Sequence, residues 1–233
     1  MKRYLLAAIF TSAIFAPGCG YDSGSAPSSV GSGSGGSSAQ PTLAVGRSHT
    51  CATRSGVVTC WGLGSDGRLG YANANTIGDN ELPSTAGNMS LGGSVTKVAS
   101  GNFSSHNCAL VSGSVYCWGE YNSGSLGYGN TNVIGDNETP ASAGPVSLGS
   151  TAIDISTGYF SSCAILTGGT VNCWGYNNVG QLGRSNMTDI GDNETPQSVG
   201  TLNLGGATAK SVYSGGGRYC IITNTDNVMC WGD

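Results

Sequence analysis

Short runs rich in apolar and β-branched residues, separated by polar and glycine-containing segments, recur along most of this chain. Residues 95–99 form one such run, and residues 107–111 and 114–118 form two more on either side of Ser112-Gly113. Runs of this length and composition predict β-strands, and two of them around a glycine turn predict a β-hairpin. After Pro41, no stretch places its apolar residues with the 3.6-residue period of a helix. The pattern therefore predicts an all-β chain of short strands.

The strands recur in a unit that repeats along the sequence. Cys-Trp-Gly occurs four times, with tryptophans that are 57, 56 and 57 residues apart. The first three copies continue with Gly-x-Leu-Gly and then with Ile-Gly-Asp-Asn-Glu-x-Pro, and the cysteine and proline are 23 residues apart each time. Periods of this length are typical of propellers and solenoids. The repeats are placed at about 42–95, 96–151 and 152–208, with a partial fourth at 209–233.

Eight of the nine cysteines lie in the repeats, two in each hairpin. Folding each hairpin about its turn places the two cysteines opposite each other, within the reach of a disulfide bond. The predicted disulfides are Cys51–Cys60, Cys108–Cys117, Cys163–Cys173 and Cys220–Cys230. Zinc is the alternative, but these spacings are longer than those of zinc knuckles. The two histidines also do not recur in the later repeats, so no metal site is expected at the cysteines.

The N-terminus carries an export signal. Met1-Lys2-Arg3 is basic, and residues 4–16 are apolar but too short to span a membrane comfortably. Ala16-Pro17-Gly18-Cys19 resembles the lipobox of bacterial lipoproteins, although that family usually has leucine in place of Ala16. The resemblance implies a signal peptide at 1–18 and lipidation of Cys19. The alternative is an ordinary secretory signal with a chance cysteine.

A segment rich in serine and glycine follows, and we expect residues 19–41 to be a flexible, disordered linker. A lipid anchor and tether would place the folded part at a bacterial cell envelope, on the outer membrane or cell surface. Without Lys2 and Arg3, the chain has seven basic and thirteen acidic residues. Such an acidic chain is not expected to bind nucleic acid, and the lipid on Cys19 is its only expected membrane contact.

The repeat resembles the regulator of chromosome condensation repeat, over about residues 42–233. The likeness rests on Gly-x-x-His-x-Cys-Ala and on Val-x-Cys-Trp-Gly-x-x-x-x-Gly-x-Leu-Gly. The resemblance implies a β-propeller of four-stranded blades, usually seven, with the tryptophans and leucines packed between blades. Guanine-nucleotide exchange, the family's best-known activity, is not expected of an exported acidic chain. A secreted bacterial inhibitor of β-lactamase has a similar propeller and binds a protein through its loop-covered face.

The Gly-Asp-Asn-Glu motif is the strongest candidate for binding chemistry. Carboxylate and amide oxygens on a glycine-containing loop are ligands that calcium uses, so one hypothesis is a weak calcium site in each loop. The alternative, which we favour, is a structural turn capped by Asp and Asn side chains. The candidate residues are Asp79, Glu81, Asp136, Glu138, Asp192 and Glu194. They belong to candidate binding loops at 71–80, 128–137 and 184–193.

No catalytic arrangement is found in the sequence. There is no Gly-x-Ser-x-Gly motif and no phosphate-binding loop, and the predicted disulfides leave no free thiol in the repeats. We therefore expect no enzyme and no cofactor. The expected function is a binding or scaffold module that recognises a protein or glycan through its loop face. An enzyme-inhibitor module and a non-functional truncated fragment are the alternatives.

The sequence stops within the fourth repeat, at Trp231-Gly232-Asp233. About three and a half blades cannot close a seven-bladed ring, and an open stack exposes strand edges. Truncation of a longer protein is the first explanation. The others are a homodimer that completes one ring and an open, curved fragment.

Overall fold

The computed structural model describes residues 41–233. The predicted signal peptide (1–18), the lipidation site Cys19 and the linker up to residue 40 lie outside the described residues, so those predictions stay predictions. None of the helices in the described range is long and apolar enough to cross a bilayer.

Strands dominate the described residues, as the short β-rich runs of the sequence predict. They form four blades of three antiparallel strands each, in the order first–second–third within every sheet. The strands are β1 (Leu43–Val45), β2 (His49–Arg54), β3 (Val57–Gly62), β4 (Val95–Ser100), β5 (His106–Val111), β6 (Ser114–Gly119), β7 (Ala152–Thr157), β8 (Ser161–Leu166), β9 (Val171–Gly175), β10 (Ala209–Ser214), β11 (Arg218–Thr223) and β12 (Val228–Gly232). Helical turns are short: α1 (Pro140–Ala143), α2 (Pro196–Val199), and 3-10 turns at Ser65–Gly67, Pro83–Ala86 and Asn122–Gly124.

The second and third strands of each blade form the predicted disulfide-stapled hairpin. Cys108 pairs with Cys117 in the β5–β6 register, and the Cα atoms of the two residues are 4.1 Å apart. The other three hairpins repeat this pairing. The structure contains all four predicted disulfides, Cys51–Cys60, Cys108–Cys117, Cys163–Cys173 and Cys220–Cys230. Each bridge therefore joins two neighbouring strands of one blade and does not join one blade to another.

The fourth strand that the family resemblance implies is reduced to isolated pairings. In the second blade, Ile134 pairs with Gly119, and the amide of Val146 donates to the carbonyl of Val115 (2.8 Å). Between these two points the chain leaves the sheet to form α1, which begins at Pro140. Proline has no N–H to donate to a strand ladder and favours the first turn of a helix. The repeated proline therefore interrupts this strand position in the first three blades.

Burial shows that the blades stack face to face. β5 and β8 are buried along their whole length, whereas β2 and β11, in the first and last described blades, alternate between buried and partly buried positions, with one exposed end each. A strand that has a neighbouring blade on both faces has no solvent-exposed face, so its residues do not alternate between buried and exposed positions. The core therefore lies between blades rather than inside any one of them.

A tryptophan hydrogen bond joins each blade to the one before it. The indole N–H of Trp118 donates to the carbonyl of Arg68 (3.2 Å), and Trp174 donates to the carbonyl of Ser125 (3.0 Å). Trp231 makes the same bond to the carbonyl of Gln181 (2.9 Å). Each acceptor lies in the Gly-x-Leu-Gly turn of the preceding blade. The packing of tryptophans between blades is thus present, with a directional bond added to it.

Two histidines form further contacts between blades, from the second strand of one blade to the second strand of the next. His106 is fully buried, and its Nε2 lies 2.9 Å from Ser162 Oγ in the next blade. The Ser162 hydroxyl donates to the carbonyl of Ser125 (3.2 Å), so it accepts the Nε2–H of a neutral imidazole. His49 Nε2 makes the matching contact with Asn107 Oδ1 (2.8 Å). Burial lowers the pKa of both histidines, that of His106 to about 3, with a smaller lowering from the positive charge of His49.

The Cys108–Cys117 bridge should stabilise the fold by restricting the unfolded chain. Replacing both cysteines with alanine is expected to lower the free energy of unfolding by about 2–3 kcal/mol, because the bridge closes a short loop. Urea unfolding of the oxidised chain measures the loss. Reductant should remove stability from the unmodified chain and remove less from the double variant. Equal stability of the two oxidised proteins would contradict the prediction.

Acid should destabilise the chain through His106. Its folded pKa of about 3 lies below the ordinary value of 6.5, so the stability it contributes is complete above pH 6.5 and declines as the pH falls towards 3. His106→Ser, which installs the residue type of Ser161 in the third blade, should flatten the dependence of unfolding free energy on pH. The expected change in slope between pH 5.5 and 4 is about 1.4 kcal/mol per pH unit. Urea unfolding over a pH series measures this slope, which does not depend on the variant's absolute stability. An unchanged slope would show that His106 is not the source of the acid sensitivity.

Candidate binding site

Two sets of loops lie at the same end of the blades. The inner loops, residues 46–48, 101–105, 158–160 and 215–217, precede the second strands, and the long loops, residues 63–76, 120–133 and 176–189, follow the third strands. Backbone bonds join the two sets, for example Leu63 N–H to the carbonyl of Ser48 (2.8 Å) and Tyr176 N–H to the carbonyl of Phe160 (2.9 Å). This loop-bearing end is opposite the hairpin turns.

Asparagine side chains shape the tips of the long loops. The amide of Asn75 donates to Asn73 Oδ1 (2.9 Å), and Asn132 donates to Asn130 Oδ1 (2.9 Å) in the second blade. In the third blade Thr188 donates to Asn186 Oδ1 (3.1 Å). An asparagine that accepts from the backbone two residues later forms a compact local turn. The repeated asparagines therefore hold the loops in one shape.

The Ile-Gly-Asp turn of one blade packs against the Gly-x-Leu-Gly turn of the blade before it. Gly135 has a φ of +103° and lies against the backbone of Gly67 and Gly70. A Cβ on Gly135 would come within 2.9 Å of the Gly70 Cα. Gly191 repeats this contact against Gly124 and Gly127. The motif that suggested calcium from the sequence is therefore part of the joint between blades.

The three acidic pairs occupy different surroundings within these turns. Glu81 accepts a hydrogen bond from the amide of Gly78 (2.9 Å), while Asp79 is exposed. Asp192 accepts from the amide of Asn193 (3.1 Å) and Glu194 is half-buried. Such bonds to nearby amides fit the capped-turn alternative.

The second pair is the most enclosed. Burial raises the pKa of Glu138, and the neighbouring charge of Asp136 raises it further. Asp136 Oδ1 and Glu138 Oε2 are buried atoms without a hydrogen-bond partner among the described residues. Across residues 41–233, no three His, Cys, Asp or Glu side chains are grouped so as to hold a metal ion. The calcium hypothesis stays a prediction, without a ligand set in this range.

Sequence analysis missed the residues that the inner loops present. Arg47, Phe103 and Tyr159 come from three successive blades and line one depression. Arg47 and Tyr159 directly follow Gly46 and Gly158, and Phe103 lies two residues after Gly101. A fixed glycine followed by a varying side chain in every repeat is the signal that could have indicated them.

The four stacked blades make the described part of the chain a partial β-propeller. Residues 112–165 match one model of the regulator of chromosome condensation (RCC1) repeat, and residues 152–181 match a second model of that repeat. The repeat resemblance is thus confirmed in the second and third blades.

Curated relatives extend the similarity to most of the chain. It is 31% identical to the ultraviolet-B receptor UVR8 of Arabidopsis thaliana over 196 residues, which are 82% of this chain and 40% of UVR8. It is 27% identical to the human E3 ubiquitin-protein ligase HERC2 over 197 residues, 83% of this chain and 4% of HERC2. The chain therefore spans well under half the length of these relatives.

Solved structures share the fold. Human WBSCR16 superposes with a TM-score of 0.61 at 20% identity, covering 82% of this chain and 47% of that protein. Yeast RCC1 (Prp20), in its complex with Kap60, gives 0.60 at 24% identity, covering 82% and 43%. These likenesses establish the blade architecture of the chain.

A matched pair of glycines tests whether the acidic turn serves the joint between blades. Gly78 and Gly135 hold the same motif position with φ of +97° and +103°, but a Cβ on Gly78 would meet only Pro83 Cγ at 3.7 Å. Both alanine variants incur the cost of a positive φ, and only Gly135→Ala also collides with a neighbouring blade. Gly135→Ala should lose about 1–3 kcal/mol more unfolding free energy than Gly78→Ala. Urea unfolding measures both, and equal losses would show that the joint is not formed there.

Proposed function

We propose that this chain is a non-enzymatic, protein-binding module of a bacterial envelope, anchored by lipid at Cys19. The observation that carries the proposal is the loop-bearing end, where long and inner loops of successive blades come together on one interlocked framework. Loops on a rigid scaffold can vary in sequence without loss of the fold, and binding residues concentrate there. The module would use the candidate binding loops at 71–80, 128–137 and 184–193, which overlap the long loops, as the outer part of its binding surface.

The printed names of similar proteins support a partner that is a protein. UVR8 is named as a receptor, and one yeast structure describes the binding of Prp20p to Gsp1p and histones. The described residues of this chain are acidic overall, with Arg47 one of few cations at the loop-bearing end. A nucleic-acid partner is therefore not part of the proposal. Histone binding and guanine-nucleotide exchange are not part of it either, because an exported chain would not meet those partners.

Self-association is a second element of the proposal. Leu43 is 65% exposed, whereas Val98 and Val212, at the same position in later blades, are at most 3% exposed. Val212 lies in the last blade, so the preceding blade is what covers this position. The first blade thus presents an apolar face shaped to receive another blade, and a second copy of the chain is our proposed occupant.

Site-specific photo-crosslinking tests the function in cells that produce the full chain. A crosslinking residue is placed at Met187, in a long loop, or at Val228, near the opposite end; the two side chains are 65% and 66% exposed. Met187 should give a covalent adduct with a different protein, and Val228 should not. Adducts of twice the chain mass would report the homodimer.

Fractionation of the same cells tests the anchor, since Cys19→Ser should move the chain from the membrane to the soluble fraction. Equal adducts from Met187 and Val228, or none from Met187, would refute binding through the loop-bearing end. A membrane-bound Cys19→Ser variant would refute the lipid anchor alone.

A further inference from the structure

The inner loops surround a depression at the centre of the loop-bearing end. Its volume is about 630 Å³ and it is open to solvent. All four blades contribute to its wall, which is formed by Arg47, Asn102, Phe103, Tyr159, Gly216 and Gly217. Ligand-binding clefts in proteins usually have volumes of about 300–1,000 Å³.

Backbone bonds between blades hold the wall of this central depression in place. The amide of Arg47 donates to the carbonyl of Ser104 in the second blade (3.0 Å), and the amide of Tyr159 donates to the carbonyl of Gly216 in the fourth (3.0 Å). Between the second and third blades, Gly101 packs against the carbonyls of Thr157 and Gly158. The depression is therefore preformed, and a ligand would not have to order its loops.

Two aromatic residues of the wall are exposed, and each lies at or next to a strained backbone position. Phe103 is 59% exposed although its φ is +67°, a region that bulky side chains rarely adopt. Tyr159 is 40% exposed and its ring lies 4.0 Å from that of Phe160, whose φ is +54°. Because most of the Phe103 ring is exposed, its burial contributes little free energy to offset the strain of its backbone conformation. Exposed aromatics held this way are typical of a binding surface.

The charge in the depression is positive. Arg47 is the cation in its wall, and no carboxylate shares that wall. Of the seven basic residues in the described range, all but Arg47 and Arg54 donate side-chain hydrogen bonds to the protein. Arg54 lies at the hairpin-turn end. Within residues 41–233 Arg47 is thus a cation without an internal partner, and it is set beside aromatic rings on an otherwise acidic protein.

We propose that the central depression binds a peptide segment of a partner protein that carries a carboxylate next to an apolar side chain. The carboxylate pairs with the Arg47 guanidinium, and the apolar side chain packs on Phe103 and Tyr159. Arginine and aromatic residues together are the usual composition of an energetic centre in protein interfaces. Gly216 and Gly217 leave room for a peptide backbone because they have no side chains. The inference rests on the proposed function. It assigns the centre of the binding surface and the chemistry of the partner segment that binds there.

Selection from a random octapeptide library on phage tests the proposal with the full chain as bait. Selected peptides should be enriched in Asp or Glu beside an aromatic or aliphatic residue. Fluorescence anisotropy then measures the affinity of synthetic copies for four proteins: the unmodified chain, Arg47→Glu, Phe103→Ala and Arg54→Glu. Arg54→Glu makes the same charge change on another unpaired arginine at the opposite end.

Binding should weaken at least tenfold in Arg47→Glu and about five- to thirtyfold in Phe103→Ala, and should be unchanged in Arg54→Glu. Replacing the peptide carboxylate by its amide should weaken binding to the unmodified chain and have little effect in Arg47→Glu. Circular dichroism and thiol titration identify a variant that fails to fold, in which case Arg47→Gln replaces it.

Peptides without acidic enrichment, or with equal affinity for Arg47→Glu and the unmodified chain, would overturn the site. The Met187 adduct would still support the proposed function in that case. If selection yields no peptide and the chain instead binds oligogalacturonate in a way that depends on Arg47, the ligand is an acidic glycan and the peptide proposal is overturned. Absence of both binding and the Met187 adduct would overturn the site and the function together.

Discussion

One hydrogen bond constrains the whole stack: a tryptophan indole on one blade donates to a turn carbonyl on the preceding blade. For Trp118 the acceptor is Arg68, and Gly70 leaves the space that the indole needs, since a Cβ there would lie 3.0 Å from the Trp118 Nε1. A buried indole N–H without an acceptor is costly, so each blade must meet the next in one register. Among the described residues Trp61 has no such acceptor, and it is only partly buried.

The other contacts between blades follow from that register. When the tryptophan makes its hydrogen bond, the Ile-Gly-Asp turn packs against the Gly-x-Leu-Gly turn of the preceding blade. The same arrangement brings neighbouring second strands close enough for the hydrogen bond between His106 and Ser162. The disulfides stiffen single hairpins and so leave the stacking to these contacts. Because the framework is fixed by turns and strands, the side chains of the inner loops are free to serve recognition. Arg47, Phe103 and Tyr159 occupy those loops.

Much of the fold could be predicted from short-range patterns. Folding each hairpin about its turn paired Cys51 with Cys60 and repeated the pairing three times, because register in a tight hairpin depends only on local spacing. The fourth strand was expected from the family and is only a set of isolated pairings, since a proline such as Pro140 redirects the chain. The acidic motif drew attention as a calcium candidate, whereas its glycine, Gly135, makes the contact between blades.

The sequence by itself determined the all-β class, the four repeats and the disulfide partners, because each depends on residues close together in the chain. Only the tertiary structure decided which residues meet across blades, because those partners are about 50 residues apart and depend on how one sheet packs on the next. His106, which repeats a pattern in sequence, proved to be a neutral bridge. Phe103, which sequence analysis did not single out, proved to line the central depression, since only stacking brings four inner loops around one axis.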